Sequence, residues 1–362
     1  MSNGLSSSEI NKLINKKAGL NVSHNLKEDN PTEVKEWIPT GSRWLDSITC
    51  KGKYAGIPIG KFCEIAGLES TGKSFLAAQV AANAQKMGMS VIYFDSESAV
   101  DPQFLERAGC NLESFNYVQA SSVEFVLDTI ELLLSENDNK MLFIWDSMAM
   151  TPCESDIASD FNPQSTMAVK PRVMAKAMSK IAVPLANSKS TLLVLNQLKT
   201  NIGNSMSRAM TSVYFTPGGK ALSYAYSLRI WLTGKKSKDS YILDSKGYRV
   251  GSEVKATIVK SRFGSEGRTC NFKIIWGDNI VGVLDEESWL EALKGTEYLK
   301  SSGPWFSLTY ADGTQEKFQS SKWLEKLESK KFKDRILELM DAEVITKFDK
   351  RQGNAKDFYD VQ

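Results

Sequence analysis

Gly67-Leu68-Glu69-Ser70-Thr71-Gly72-Lys73-Ser74 follows an apolar run, Phe62-Cys63-Glu64-Ile65-Ala66, and leads into a helical pattern that opens Phe75-Leu76-Ala77-Ala78. The octapeptide fits G-x-x-x-x-G-K-[ST], a loop that wraps nucleotide phosphates between a strand and a helix. Its glycines allow the tight turn that brings successive N–H groups together on phosphate oxygens, and the start of the helix adds the positive end of its dipole. Lys73 supplies a mobile positive charge for the β- and γ-phosphates, and the Ser74 hydroxyl can ligate Mg²⁺.

The composition is that of an ordinary globular protein with little net charge. The 362 residues are 42% hydrophobic and 24% charged, with a formal net charge of +2, so a nucleic-acid surface would have to be a local patch. The five cysteines have no C-x-x-C spacing, which predicts reduced thiols in a cytosolic protein without a zinc site or disulfides. We expect no membrane span and no signal peptide, and the single histidine, His24, argues against His-based catalysis.

Strands and helices are predicted to alternate after about Ile38, which is the βαβ signature of a mostly parallel sheet. The candidate strands are Phe62–Ala66, Ser90–Phe94, Met141–Trp145 and Thr191–Leu195, and the candidate helices are Ser8–Lys17, Lys73–Met87, Pro102–Arg107, Ser122–Ser135 and Arg172–Asn187. From Ser227 the pattern is β-rich, and a basic helix is predicted at Ser321–Met340. Two long stretches, from Met150 to about Val169 and from Lys199 to about Pro217, fit neither period, and such loops are usually functional or disordered.

Polar side chains at three strand ends suit phosphate chemistry. Asp146 ends an apolar strand, where a carboxylate can hold a magnesium ion through water or Ser74. Asp95 and Glu97 follow another strand, and on chemistry alone either carboxylate could accept a proton from the water that attacks the γ-phosphate. Gln197 is either a γ-phosphate contact that reports the nucleotide state to the following loop, or a plain loop residue.

In this order, these segments resemble the bacterial RecA recombinase family, which includes the bacteriophage UvsX-like recombinases, from about Trp37 to Phe348. The segments that carry the resemblance are the phosphate loop with its internal Glu69-Ser70, Phe94-Asp95-Ser96-Glu97-Ser98-Ala99-Val100-Asp101-Pro102, Leu195-Asn196-Gln197-Leu198-Lys199, Pro217-Gly218-Gly219-Lys220-Ala221-Leu222 and Val259-Lys260-Ser261-Arg262.

The resemblance implies an α/β fold. We expect a RecA-like P-loop NTPase core with a mostly parallel twisted sheet flanked by helices, plus an N-terminal arm and a small C-terminal α+β domain. The implied boundaries are an oligomerisation arm at 1–38, the ATPase core at 39–282 with two DNA-binding loops at about 152–169 and 199–217, a C-terminal domain at 283–348 and a tail at 349–362.

The resemblance also implies roles in the nucleotide site. It assigns the general base to Glu97, beside Lys73 and Gln197, and it makes Lys260 and Arg262 the cations that a neighbouring subunit inserts at the γ-phosphate. The implied nucleotide contacts are Gly67, Leu68, Glu69, Ser70, Thr71, Gly72, Lys73 and Ser74, with Asp101 and Phe104 at the adenine and Ser74 and Asp146 at the metal. Phe104 could equally pack beneath the sheet.

A third set of implied roles concerns DNA. Met167 and Ile202 fall where the family wedges apolar side chains into the base stack, and their place in polar loops argues against ordinary core packing. The residues at phosphate-contact positions are Arg172, Lys199, Gly218 and Gly219.

The implied protein is a DNA-dependent ATPase with ATP and Mg²⁺ as cofactors. It would form a helical filament with ATP at the subunit interfaces, bind single-stranded DNA and homologous double-stranded DNA, and exchange strands in the cytoplasm of a bacterium or of a phage-infected host. One alternative is a RecA-core ring helicase, which would need further motor or zinc-binding domains. Another is a nucleotide-gated regulatory filament protein, for which we would expect Glu97 to be replaced.

The sequence departs from the family pattern at several positions. Ser179 and Ser223 replace residues that are usually basic, Arg262 replaces a lysine, the second loop is longer than usual and the tail is only weakly acidic. These departures suggest a phage or otherwise divergent member, and they affect the DNA contacts more than the ATPase.

Overall fold

A computed structural model describes residues 4–19, 22–28, 30, 32–159, 168–200, 214–234, 240–277 and 281–345 of the chain. The chain divides into two compact units, residues 1–35 and 36–362. The first contains helix α1, Ser7–Ala18, which begins at a capping box in which the Ser6 hydroxyl accepts from the N–H of Glu9 and the Glu9 carboxylate accepts from Ser6. Gly19, with a φ of +67°, caps the carboxyl end of the helix. The helix extends one residue beyond the predicted range Ser8–Lys17 at each end.

The described part of the second unit alternates strands and helices along most of its length. The strands are β1 (Trp37–Ile38), β2 (Ile57–Pro58), β3 (Phe62–Gly67), β4 (Ser90–Asp95), β5 (Phe115–Gln119), β6 (Met141–Asp146), β7 (Thr191–Gln197), β8 (Lys199–Thr200), β9 (Tyr214–Phe215), β10 (Leu228–Thr233), β11 (Tyr241–Leu243), β12 (Arg249–Ser261), β13 (Thr269–Ile275), β14 (Gly282–Leu284), β15 (Leu299–Ser302), β16 (Trp305–Thr309) and β17 (Gln315–Gln319). The α-helices are α2 (Arg43–Thr49), α3 (Lys73–Lys86), α4 (Pro102–Arg107), α5 (Val123–Glu136), α6 (Glu154–Ala158), α7 (Val169–Asn187), α8 (Gly219–Ala225), α9 (Asp285–Leu293), α10 (Trp323–Leu327) and α11 (Lys330–Leu339).

Ten strands form one sheet in the order β14-β13-β12-β10-β3-β7-β6-β4-β5, with β11 paired to β12. The six strands from β10 to β5 in that order run parallel to one another. Beyond β10, the strands β12, β13 and β14 add antiparallel neighbours. The predicted α/β fold with a mostly parallel sheet is therefore confirmed.

Helices cover both faces of the parallel strands. On one face, Ile65 and Leu195 pack in one core cluster with Leu76 of α3. On the other, Val194 packs in a second cluster with Met178 of α7. Neighbouring residues on a strand point to opposite faces of the sheet, and both faces are covered by helices. Residues on both faces must therefore be apolar, which explains the near-continuous hydrophobic runs in the sequence.

The C-terminal segment adds helices and a three-stranded antiparallel sheet, β15-β16-β17, around its own apolar cluster. The predicted single helix Ser321–Met340 is wrong, since α10 and α11 are separate helices with Glu328 and Ser329 between them. Trp323 and Phe332 enter the same cluster, with ring centroids 5.7 Å apart. Nine residues of straight helix would turn these rings to roughly opposite faces, so the break lets both be buried.

Within the described ranges, every helix is too short or too polar to cross a membrane. All five cysteines carry free thiols, and all five are buried.

A buried carboxyl group lies in α2, against the start of the core. The Asp46 carboxylate accepts hydrogen bonds from the Thr40 N–H (3.0 Å) and the Thr40 hydroxyl (2.7 Å). Burial raises the pKa of Asp46 to about 7, even though these hydrogen bonds oppose the shift. Because the folded state holds this proton more tightly than an exposed carboxyl does, the stabilising contribution is present at low pH and is lost as the pH rises towards 7.

We expect Asp46→Asn to become more stabilising relative to the parent as the pH rises from about 5 to 8, because the amide can accept the same hydrogen bonds without carrying a charge. The measurement is the thermal midpoint of parent and variant across that range. Asp138→Asn, at an exposed position, is the matched control. A midpoint difference that stays constant with pH would contradict the assignment.

Candidate functional site

The predicted phosphate loop forms a tight turn between β3 and α3. A Cβ atom added at Gly67 would lie 2.4 Å from the Thr71 hydroxyl oxygen, and Gly72 has a φ of +82°. The Thr71 hydroxyl donates to the Leu68 carbonyl at 2.8 Å, which closes the loop on itself. Both glycines are therefore required by the geometry, one for close approach and the other for backbone conformation.

A cavity of about 880 Å³ opens at this loop, at the carboxyl ends of the parallel strands. It is lined by Gly67, Leu68, Glu69, Ser70, Thr71, Lys73, Ser74, Glu97, Asp146, Ser147, Gln197, Leu198, Gly234, Tyr241, Arg249, Ser252, Glu253 and Val254. The strand register explains this meeting, since Gly67 pairs with Gln197 and Asp95 pairs with Asp146. This edge of a parallel sheet is the usual ligand site of such folds.

Lys73 is partly buried at the start of α3. Its ammonium donates to the Leu68 carbonyl at 3.0 Å. Burial lowers the pKa of Lys73, although the nearby carboxylates of Asp146 and Glu97 oppose this. Phosphate oxygens in the cavity would give this cation stronger acceptors than a single carbonyl.

Ser74 and Asp146 meet at the predicted metal position. The Ser74 hydroxyl and the Tyr93 hydroxyl each donate to Oδ2 of Asp146 at 2.7 Å. Burial raises the pKa of the Asp146 carboxyl, although these hydrogen bonds oppose the shift. Groups of three or more His, Cys, Asp or Glu that could hold a metal are absent from the described residues. The two oxygen ligands fit Mg²⁺, which is commonly bound by one or two protein groups, substrate phosphates and water.

The structure distinguishes the two candidate carboxylates. Asp95 is only 3% exposed and accepts hydrogen bonds from the N–H groups of Glu97 (2.9 Å), Ala99 (2.9 Å) and Val100 (3.2 Å). Glu97 lines the cavity instead, and the Ser147 hydroxyl donates to its Oε1 at 2.9 Å. Asp95 therefore shapes the turn that presents Glu97, and Ser147 is a contact that the sequence did not single out.

Gln197 lies at the last position of β7 and faces the cavity. Its N–H donates to the Asn196 side chain at 2.9 Å, and the N–H of Leu198 donates to the Gly67 carbonyl at 3.0 Å. The strand that carries Gln197 is thus hydrogen-bonded to the phosphate loop, and its next residues begin the second long loop at Lys199.

Asp101 and Phe104, predicted at the adenine, are not among the residues that line the cavity. The Asp101 carboxylate caps α4 by accepting from the Gln103 N–H at 3.0 Å. The Phe104 ring packs edge-on against Phe75, with centroids 4.6 Å apart, and Phe75 in turn contacts Trp276 at 5.5 Å. The adenine role of both residues stays a prediction.

Lys260 and Arg262 also lie away from the cavity lining. The Lys260 ammonium donates to the carbonyls of Ser223 (2.7 Å) and Tyr224 (2.8 Å), and Arg262 donates to the Tyr224 carbonyl at 2.9 Å. The two cations thus point to the same side, at the carboxyl end of α8, where positive charge is favourable. Burial, aided by the Arg262 charge, lowers the pKa of Lys260.

The predicted DNA contacts fall at the edges of the two long loops. Arg172 is exposed in the first turn of α7, and Lys199 is exposed in β8, which pairs with β9. Gly218 and Gly219 have φ values of +109° and +85° and begin α8. Met167 and Ile202 lie outside the described residues.

The chain is similar in sequence to RecA proteins, and one solved structure aligns with part of it. The family model described as the RecA N-terminal domain matches residues 7–281. Protein RecA of Arthrobacter sp. (strain FB24) is 33% identical over 294 residues, which cover 79% of this chain and 75% of that protein. Protein RecA of Aquifex aeolicus (strain VF5) is 30% identical over 314 residues, covering 86% and 85%. A crystal structure of the RadB recombinase aligns with a TM-score of 0.48 and 19% identity, over 66% of this chain and 96% of that one.

We expect Lys73→Ala to reduce nucleoside triphosphate turnover by about 10²- to 10³-fold, the usual effect of removing a charge-stabilising donor. Nucleotide affinity should fall as well, while the thermal midpoint without nucleotide stays near the parental value. Phosphate release and nucleotide titration measure the two effects. Lys86→Ala, in the last turn of the same helix, is the control, and turnover at the parental rate in Lys73→Ala would place the site elsewhere.

Glu97→Gln should lower turnover by about 10²- to 10⁴-fold, because the amide cannot accept a proton from water. Nucleotide should still bind, since the amide keeps the shape of the side chain. Asp95→Asn is the informative comparison, because it weakens three hydrogen bonds of the turn and should lower the thermal midpoint. If Asp95→Asn abolished turnover without loss of stability while Glu97→Gln stayed active, the base would be Asp95.

Proposed function

The chain belongs to the RecA family, and on that premise we propose that it is an ATP-dependent DNA recombinase, which forms helical filaments on single-stranded DNA and catalyses homology search and strand exchange. The observation that carries the proposal is the position of Gln197. It faces the cavity of the phosphate loop and stands two residues before Lys199, at the start of the second long loop. A nucleotide contact and a candidate DNA contact therefore share one strand end.

In the proposed reaction, this chain hydrolyses ATP to ADP and phosphate. Lys73 and the loop N–H groups hold the β- and γ-phosphates, and Ser74 and Asp146 are the ligands for Mg²⁺, which would neutralise charge on the phosphates when bound. Glu97 accepts a proton from the attacking water. The hydrogen bond from Ser147 fixes one of its carboxylate oxygens and leaves the other for that water.

The proposed DNA contacts are the two loops. Arg172 and Lys199 would bind phosphates as cations, and Gly218 and Gly219 would do so through backbone N–H groups, which serve any sequence. Met167 and Ile202 are proposed to separate the bases by wedging between them. Such sequence-independent contacts suit a protein that compares one DNA strand with another.

We propose that the active filament completes each nucleotide site with Lys260 and Arg262 of a neighbouring copy. Two observations support this. Neither residue is among those that line the cavity of its own chain, and the two cations are held side by side on the carbonyls of α8. Hydrolysis would then depend on assembly, because a single copy would lack two of the positive charges that stabilise the transition state.

Electron microscopy of the full chain with single-stranded DNA and a non-hydrolysable ATP analogue tests the proposal. Open helical filaments that form only with both ligands are expected. Closed rings would favour a ring helicase, and filaments without strand-exchange activity would favour a regulatory filament protein. A strand-exchange assay with homologous and heterologous duplexes separates a recombinase filament from a regulatory one.

Lys260→Ala should lose most DNA-stimulated ATP hydrolysis while its own phosphate loop still binds nucleotide. Mixing it with Lys73→Ala protein should restore part of the activity, because some junctions then pair an intact loop with an intact Lys260. Lys255→Ala, on the exposed side of the same strand, should behave as the parent. Mixed filaments without any restored hydrolysis would show that Lys260 does not act across the interface.

A further inference from the structure

A carboxylate is buried in the middle of the central strand. Glu64 of β3 has a fully buried side chain, in a strand whose other residues are mostly apolar. Phe62, two residues earlier on the strand and therefore on the same face, belongs to the cluster packed by α7. A buried charge is costly unless it is paired and hydrogen-bonded, so its partners determine what it does.

Two neighbouring strands supply the partners of Glu64. Arg229 of β10 lies directly opposite Glu64 in the parallel register, and its Nε donates to Oε2 at 2.6 Å. Asn196 of β7 donates from Nδ2 to Oε1 at 3.0 Å. The carboxylate is therefore satisfied on both oxygens, from both sides of the strand.

The same two partners hold the last residues of the second long loop. Arg229 also donates from Nη2 to the Thr216 hydroxyl at 2.8 Å, and Asn196 donates to the Pro217 carbonyl at 3.1 Å. Pro217 is followed by Gly218 and Gly219, so the end of the loop and the start of α8 are tied to β3 and β7.

Asn196 connects this network to the nucleotide cavity. Its Oδ1 accepts from the N–H of Gln197 at 2.9 Å, while its Nδ2 contacts Glu64 and Pro217. The fully buried Asn196 amide thus contacts the backbone of Gln197, the Glu64 carboxylate and the Pro217 carbonyl at the end of the second loop.

We propose that Asn196 and Arg229 are positioning residues that couple the second loop to the nucleotide cavity through Glu64. A shift of Gln197 towards a γ-phosphate would move the Asn196 amide, and the Thr216 and Pro217 end of the loop would move with it. By linkage, DNA that fixes the loop end would favour the same position of Gln197. The inference rests on the proposed DNA-dependent ATPase, and it names residues that contact neither ligand.

The test is the affinity for a fluorescent oligo-dT strand with the ATP analogue and with ADP, measured in the full chain. Thr216→Val removes the hydroxyl that Arg229 contacts and keeps the side-chain shape, whereas Thr216→Ser restores the hydroxyl. Thr233→Val, which removes a hydroxyl at the end of the strand that carries Arg229, is the matched control. A second variant, Glu64→Gln with Arg229→Met, removes the ion pair without leaving a buried charge unpaired.

The affinity for DNA with the ATP analogue, divided by the affinity with ADP, should fall at least about fivefold in Thr216→Val and in the double variant. This is the lower range of the coupling between two binding sites in proteins. Thr216→Ser and Thr233→Val should keep the parental ratio. If Thr216→Val also keeps the parental thermal midpoint, its lower ratio cannot come from a loss of stability. A Thr216→Val protein and a double variant that both keep the parental ratio would overturn the inference. A parent that binds DNA equally well with both nucleotides would instead overturn the proposed nucleotide gating itself.

Discussion

The register of the parallel strands is the constraint on which the site depends. β3, β7, β6 and β4 are hydrogen-bonded so that their carboxyl ends reach the same edge, with Gly67 opposite Gln197 and Asp95 opposite Asp146. A slip of one residue would turn each buried side chain to the other face, and both faces are packed with helices. The apolar core therefore fixes the relative positions of the phosphate loop, the proposed metal ligand Asp146 and Gln197 before any ligand binds.

The elements with strong periodicity could be predicted from the sequence because local pattern and tertiary burial agree there. β3, β4, β6 and β7 start at the predicted residues, and α3 ends one residue early. β5 was not predicted, because among the described strands it lies at the end of the sheet beside β4. Three of its five residues are exposed, which leaves little apolar signal. The break between α10 and α11 depends on aromatic packing between residues nine apart, which a helical pattern cannot show.

The candidate site could be predicted in outline from the sequence. The contacts that give each of its side chains a different role could not. A sequence shows that Asp95 and Glu97 are both acids, but only the fold reveals that the N–H groups of a turn occupy Asp95. In the same way, the phosphate-loop pattern says nothing of Ser147, because its role comes from a contact across two strands. The cavity walls contributed by β11 and β12, among them Tyr241 and Arg249, have no local signature at all.

The ion pair of Glu64 and Arg229 is a weak argument for stability, since apolar residues of similar volume would fill the same space without the cost of desolvating two charges. The geometry of the pair gives a better reason for charged residues at these two positions. Apolar side chains can pack in several ways, whereas a guanidinium bonded to both a carboxylate and the Thr216 hydroxyl fixes one position for the end of the loop. In the proposed coupling, an end of the second loop that occupies one defined position allows a small displacement at Gln197 to be transmitted to Pro217.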